Sequence, residues 1–182
     1  GMSIVFERDA VECFRFVDCG FDPATGVARL AYAFDDGPEL VETVTFPGAP
    51  FALEGARAEA ATRALRLLHL VAGVSYYKAA VPPQIRIDGY PIDEATAALM
   101  EQVYLNGLGE FAYRNGLDLR GRIRFPRDGA ATGQAPAAGL PERALVAIGG
   151  GKDSLVSIEE LRAAGVEQIV AWMGGSRLIR TC

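Results

Sequence analysis

The sequence predicts an α+β N-terminal domain followed by the opening β-α-β unit of an α/β domain with a parallel sheet. Short runs of alternating polarity joined by tight turns fill the first fifty residues, and two helical patterns follow them. After residue 141, continuous apolar runs flank a glycine loop, which is typical of buried parallel strands. Between these patterns the segment DGAATGQAPAAGLP is small and nearly uncharged, as interdomain linkers are. We therefore divide the chain into residues 3–127, a linker at 128–141 and residues 142–182.

The first fifty residues predict a three-stranded antiparallel meander. Strands are expected over Cys13–Asp18, Val27–Phe34 and Glu39–Phe46, which alternate in polarity or are rich in β-branched side chains. Turn-forming sequences separate them at Asp22–Gly26 and Asp35–Pro38. Connections this short join antiparallel neighbours, because parallel strands need a long crossover.

Helices dominate the next part of the N-terminal domain. Small and apolar residues at helical spacing predict a helix over about residues 54–71, with Gly73 as its terminator. Asp93 is a candidate N-cap for a second helix that ends at Asn106–Gly107. The shorter elements expected around them are a strand over Gln84–Asp88, a helix over Leu108–Arg114 and a strand over Leu119–Phe125.

Composition excludes several classes of protein. The chain has 18 basic and 23 acidic side chains, giving a net charge of −5, which argues against general nucleic-acid binding. No apolar stretch is long enough to cross a bilayer, and we expect a cytoplasmic protein. Cys13 and Cys19 are expected on one strand face, about 20 Å apart, too far for a disulfide. The single histidine, His69, lies among leucines, which favours a core or boundary residue over a catalytic one.

The segment Gly149–Ser154 (GGGKDS) carries the strongest chemical signal. It lies between an expected strand over Ala144–Ile148 and a helix that ends near Ala164, with another strand expected over Gln168–Trp172. Glycine backbone N–H groups and a helix N-terminus together form a cradle for phosphate. The spacing fits neither the Walker A loop nor the dinucleotide fingerprint. An ordinary turn with Asp153 as N-cap is the alternative interpretation.

The loop resembles the pyrophosphate loop of the ATP pyrophosphatases, Ser-Gly-Gly-x-Asp-Ser. Gly150, Gly151, Asp153 and Ser154 match that motif, whereas Gly149 departs from it where the family usually has serine. The resemblance implies ATP as ligand, and Asp153 as the residue that contacts Mg²⁺ on the pyrophosphate. Lys152 would neutralise phosphate, and the nucleotide base is expected near Met173, at the carboxyl end of the second strand.

A longer resemblance covers most of the chain as far as WMGGSRLIR. It is carried by FRFVDCGFD, YAFDDGPELVETVTFPGAPF, LRLLHLVAGVSYYKAAVP, VYLNGLGEFAYRNGL and ALVAIGGGKDSLVSIEELRAAGV. In these segments the chain resembles the UDP-N-acetylmuramoyl-L-alanyl-L-glutamate epimerases of bacterial cell-wall synthesis. The resemblance implies an isomerase that consumes ATP with Mg²⁺ while it inverts a glutamate centre, by way of an acyl-adenylate. Two alternatives stay open: a tRNA-modifying ATP pyrophosphatase, and a non-catalytic nucleotide-binding or interaction domain.

The candidate residues for binding the UDP-sugar dipeptide are three arginines. Arg120, Arg122 and Arg124 recur at every second position, so on a strand they would form a cationic strip for phosphate or carboxylate groups. A solvated strand face is the favoured interpretation of such a run. A loop Tyr76-Tyr77-Lys78 could supply a base and its partner, although a tyrosine in such a position usually packs on the core.

The region after the linker supplies only strand, helix and strand, fewer elements than a nucleotide-binding parallel sheet needs. We therefore expect a truncated piece that is inactive as an epimerase by itself. We also expect its apolar strands to be buried against the first domain or against a second copy in a homodimer.

Overall fold

The computed structural model describes residues 10–127, together with 136–137, 140, 159–160, 163–165, 167–169 and 171. It confirms the α+β class of the N-terminal part. The strands and helices run in the order β1 Cys13–Asp22, β2 Val27–Phe34, β3 Leu40–Thr45, α1 Ala56–Ala72, α2 Val74–Tyr77, β4 Gln84–Ile87, α3 Glu94–Gly107 and α4 Gly109–Arg114.

The strands form one mixed sheet in the order β3-β2-β1-β4. β1 pairs with β2, and β2 with β3, in antiparallel fashion, so the predicted meander is confirmed. β4 lies on the other side of β1 and pairs with it in parallel from Cys13 to Phe16. The helices α1 and α2 connect β3 to β4, which gives the chain the length that a parallel neighbour requires.

A β-bulge in β1 changes which side chains face the core. The register with β2 shifts between Phe16 and Asp18. Before the shift Phe14 and Phe16 belong to the core, and after it Cys19 and Phe21 pack against the core. An extra residue reverses the alternation of faces, so Cys13 and Cys19 lie on opposite faces of β1. The prediction that they share a face was therefore wrong.

The core lies between the sheet and helices α1 and α3. Leu67, Leu68 and Leu70 of α1 are fully buried against the aromatic rings that the sheet and α3 contribute. Gly73 ends α1 as predicted, at a point where β1 and α3 come very close to the backbone of the helix end. A Cβ there would lie 2.6 Å from Phe16 Cε1 and 2.7 Å from the Tyr104 hydroxyl. Only glycine leaves room for both rings.

The predicted capping of α3 is also confirmed. The Asp93 side chain accepts a hydrogen bond from the backbone N–H of Thr96 at 2.8 Å, and the helix ends at Gly107. The next helix, α4, occupies most of the segment in which a short helix was predicted.

The segment 119–125 is not the strand that its alternating polarity predicted. Its backbone turns, and the N–H of Arg122 donates to the carbonyl of Leu119 at 3.1 Å. Gly121, with φ of 73°, provides the left-handed conformation that interrupts an extended run. Leu119, Ile123 and Phe125 are buried. The alternation of polar and apolar residues therefore belongs to an irregular segment whose apolar side chains pack in the core.

Two of the residues described after position 140 pack on this same core. Ile169 is fully buried and belongs to the core cluster, and a Cβ on Gly165 would lie 2.8 Å from Val71 Cγ1. Gln168, Ile169 and Ala171 are helical, so the strand predicted over 168–172 is wrong at these positions. A helix satisfies its backbone groups internally, whereas a strand needs a paired neighbour. The strand predicted over residues 144–148 lies outside the described residues.

No helix within the described ranges combines the length and the apolar character that crossing a membrane requires.

Candidate functional site

The predicted nucleotide loop, Gly149–Ser154, lies outside the described residues, as does Met173. The roles assigned to Lys152 and Asp153 therefore stay predictions. Within the part of the chain that the structure does describe, no group of three or more His, Cys, Asp or Glu side chains is arranged to hold a metal ion. The described features that bear on function are an arginine segment, a buried histidine and one groove.

The three candidate substrate arginines are exposed but do not form a strip on a strand. Arg120 is engaged locally, since its Nε and Nη2 each lie 3.0 Å from a carboxylate oxygen of Asp118. Hydrogen bonds from the Arg120 side chain and backbone lower the pKa of Asp118 to about 2. Arg122 and Arg124 are exposed on the same irregular segment. The arginines are available to solvent, without the regular spacing that a strand would give them.

The tyrosines at positions 76 and 77 are structural, as the alternative interpretation held. Tyr77 is fully buried and its hydroxyl donates to the carbonyl of Pro82 at 3.2 Å. Burial raises the pKa of Tyr77 to about 12, which makes it a poor base at neutral pH. The ring of Tyr76 stacks on Tyr32 at 4.9 Å, and the ammonium of Lys78 lies 5.7 Å from the Phe111 ring.

His69 is a fully buried and doubly hydrogen-bonded core residue, which confirms its predicted role. Its Nε2 lies 2.8 Å from the carbonyl oxygen of Ala31, and its Nδ1 lies 2.9 Å from the Tyr90 hydroxyl. A carbonyl can only accept, so Nε2 carries the proton and Nδ1 accepts from Tyr90. Burial lowers the pKa of His69 to about 4. The imidazole is therefore neutral at physiological pH.

A groove beside β1 and α1 was not predicted from the sequence. It has a volume of about 390 Å³, within the range of small-molecule pockets. It lies between the second half of β1, the residues that lead into α1 together with the first turns of that helix, and the segment that follows β4. Its walls are Asp18, Cys19, Gly20, Phe21, Pro23, Leu53, Ala58, Ala61, Thr62, Leu65, Arg66, Gly89 and Tyr90.

The groove combines an apolar wall with one cation. The Arg66 guanidinium lies 5.0 Å from the centroid of the Tyr90 ring, a cation–π arrangement. The nearby Cys19 is not a nucleophile, because burial raises the pKa of its thiol to about 11. The sequence places Arg66 at the edge of the apolar face of α1. Nothing in that local pattern reveals that Tyr90 and the end of β1 lie beside it.

Comparison with known proteins establishes the family. The model of the MurL N-terminal domain family matches residues 5–182. This chain belongs to that family. The chain is 67% identical over 177 residues to a protein of Xanthomonas oryzae pv. oryzae named UDP-N-acetyl-alpha-D-muramoyl-L-alanyl-L-glutamate epimerase, covering 97% of this chain and 39% of that protein. The family resemblance drawn from the sequence segments is confirmed.

More distant MurL relatives carry the same name. A protein of Micromonospora sp. is 39% identical over 171 residues, covering 87% of this chain and 36% of that protein. A protein of Salinispora tropica is 37% identical over 177 residues, covering 93% and 38%. The chain thus spans less than two fifths of the length of each of these relatives. No solved structure matches it.

Proposed function

We propose that this chain forms the MurL N-terminal part of an enzyme that epimerises the terminal L-glutamate of UDP-N-acetylmuramoyl-L-alanyl-L-glutamate to D-glutamate. The proposal is carried by the 67% identity, over 97% of this chain, to a relative named for that reaction. The activity is proposed for the whole protein, because this chain covers 39% of that relative. The product would serve cell-wall synthesis in the cytoplasm, where nucleotide-linked precursors and ATP are available.

The reaction explains why ATP would be consumed. Removing the α-proton of glutamate beside an ionised carboxylate places a carbanion next to an existing negative charge. Converting that carboxylate to an acyl-adenylate, with release of pyrophosphate, removes the charge and provides an electron sink. Each unit by which the α-proton becomes more acidic lowers the barrier by up to about 1.4 kcal/mol. A base then takes the proton, reprotonation occurs on the opposite face, and water releases AMP and the D-glutamyl carboxylate.

The residues proposed for the nucleotide are Gly149, Gly150 and Gly151 for the pyrophosphate cradle, with Lys152 and Ser154 beside them. Convergent backbone N–H groups hold the charge of the departing pyrophosphate. Asp153 offers carboxylate oxygens, the hard ligands that Mg²⁺ prefers, and the bound ion supplies charge neutralisation on the phosphates. Met173 is proposed to lie near the nucleotide base.

The test uses the whole protein, purified and supplied with the L-glutamyl precursor, ATP and Mg²⁺. Chiral analysis of the glutamate and quantification of AMP should show D-glutamate and AMP formed in equal amounts. The Asp153→Ala variant should lose metal-dependent nucleotide binding, whereas Lys152→Ala should only weaken it. Formation of D-glutamate without ATP would contradict the proposal. Unchanged Mg-ATP affinity in Asp153→Ala would show that the loop is an ordinary turn.

A further inference from the structure

Arg66 is the cation of a mostly apolar groove, which Asp18 and Thr62 also line. Among the residues that the structure describes, no carboxylate forms an ion pair with it, and its guanidinium contacts the face of the Tyr90 ring. The other charged residue of the groove, Asp18, is paired with Arg29 at 3.0 Å. A half-buried guanidinium held in this way is suited to a carboxylate or phosphate oxygen brought by a ligand.

The same groove contains a strand edge without a neighbouring strand. β4 pairs with β1 only as far as Phe16, so on that side residues 18–22 have no strand partner among the described residues. The carbonyl of Asp22 accepts from Gly26 on the β2 side of the strand. Because backbone groups alternate along a strand, those of Cys19 and Phe21 point to the opposite, open edge.

We propose that this groove binds an extended, peptide-like ligand with a free carboxylate. The carboxylate pairs with the Arg66 guanidinium. The amide groups of the ligand form hydrogen bonds with the open edge at Cys19 and Phe21, as peptides do when they add to a sheet. The apolar wall formed by Phe21 and Leu65 packs against the small side chains of such a ligand.

The identity of the ligand rests on the proposed function. The candidate substrate ends in L-alanyl-L-glutamate, an extended dipeptide with two carboxylates. The proposed reaction activates the α-carboxylate, so the γ-carboxylate keeps its charge throughout. We assign that γ-carboxylate to Arg66. The groove is then the subsite that distinguishes a terminal glutamate from an uncharged residue of the same shape.

The test is a binding titration of the 182-residue chain with N-acetyl-L-alanyl-L-glutamate, followed by ¹⁵N amide chemical shifts. The isosteric N-acetyl-L-alanyl-L-glutamine, which lacks the γ-charge, serves as the matched ligand. The shifts should concentrate on the amides of residues 18–21, and the glutamine peptide should bind roughly tenfold to hundredfold more weakly, the range for a hydrogen-bonded charge. Arg66→Met, which keeps the apolar stem on Tyr90, should bind both peptides equally weakly. Arg66→Lys should restore part of the discrimination.

The control variant is Arg114→Ala, which replaces an exposed arginine that lies outside the groove and pairs with Glu110, and it should bind like the unmodified chain. Discrimination between the two peptides that persists in Arg66→Met would overturn the inference. Shifts confined to residues 120–124 would overturn it in favour of the arginine segment, and so would an absence of saturable binding by the unmodified chain. Epimerase activity of the whole protein is measured separately. If that activity is present while the discrimination does not depend on Arg66, the groove assignment alone fails.

Discussion

Replacing His69 by leucine should make the free energy of unfolding less dependent on pH in the acidic range. In the native state the imidazole is neutral, fully buried and bonded to the Ala31 carbonyl and the Tyr90 hydroxyl. Its folded-state pKa is lowered to about 4 from an ordinary value of 6.5, because burial disfavours the charged ring. As the pH falls below 6.5 the unfolded chain binds the proton first. The free energy of unfolding is therefore lost progressively between pH 6.5 and pH 4.

The magnitude follows from the size of that window. Each pH unit between the two pKa values lowers the free energy of unfolding by about 1.4 kcal/mol. At pH 5 the buried His69 should therefore have lowered it by about 2 kcal/mol relative to pH 7.5. The leucine variant should be less stable at pH 7.5 by about 1–3 kcal/mol, since the Ala31 carbonyl loses its donor. Tyr90 can instead donate to the carbonyl of Arg66, which lies 3.2 Å away.

The assay is urea unfolding followed by far-ultraviolet circular dichroism at pH 7.5, 6.5, 5.5 and 5.0. The stability difference between the unmodified chain and His69→Leu should shrink by about 2 kcal/mol across this series. Comparing two chains that differ at one residue cancels the titration of the carboxylates. Parallel stability curves would refute the reasoning, because they would show that the histidine has the same pKa in the folded and unfolded states.

Three further predictions concern packing, capping and the nucleotide loop. Gly73→Ala should destabilise the chain by about 1–3 kcal/mol, because its Cβ would overlap the ring of Phe16, and urea unfolding measures that loss. Asp93→Ala should cost about 1 kcal/mol in the same assay, because it removes the N-cap of α3. In calorimetry of the whole protein, Asp153→Ala should abolish Mg-dependent ATP binding, and Lys152→Ala should weaken it.

Matched controls make the two stability predictions specific. Gly109→Ala introduces a Cβ with no atom within 4 Å, so it should be tolerated where Gly73→Ala is not. Equal effects of the two glycine substitutions would contradict the packing argument. Asp93→Asn keeps a capping oxygen and should retain most of the stability of the unmodified chain. A loss in Asp93→Asn as large as in Asp93→Ala would mean that the cap contributes little.

Local sequence patterns correctly predicted those features that depend on residues close to one another in the chain. The meander, the N-cap at Asp93 and the glycine that ends α1 depend on turn chemistry, capping and periodicity within a few residues. The strand expected over 119–125 failed because buried side chains of an irregular segment imitate the alternation of a strand. The bulge in β1 was missed because one extra residue reverses the faces without disturbing the β-forming composition.

The groove could not be predicted, because it depends on contacts between distant parts of the chain. Arg66 lies on α1, and Tyr90 lies 24 positions later in the segment that follows β4. The open edge of β1 exists only because β4 stops pairing at Phe16. Neither fact leaves a periodic signal. The glycine loop is the opposite case, because the prediction made for Gly149–Ser154 depends only on residues that are adjacent in the sequence.

The proposed reaction is an ATP-dependent inversion of the glutamate α-carbon through its deprotonated form. The most direct measurement is turnover by the whole protein in D₂O with the L-glutamyl precursor and Mg²⁺, with and without ATP. With ATP, mass spectrometry and chiral analysis should find one deuterium at the α-carbon of each D-glutamyl product, and without ATP neither exchange nor inversion should occur. D-glutamyl product that retains its α-protium, or that forms without ATP, would contradict the account.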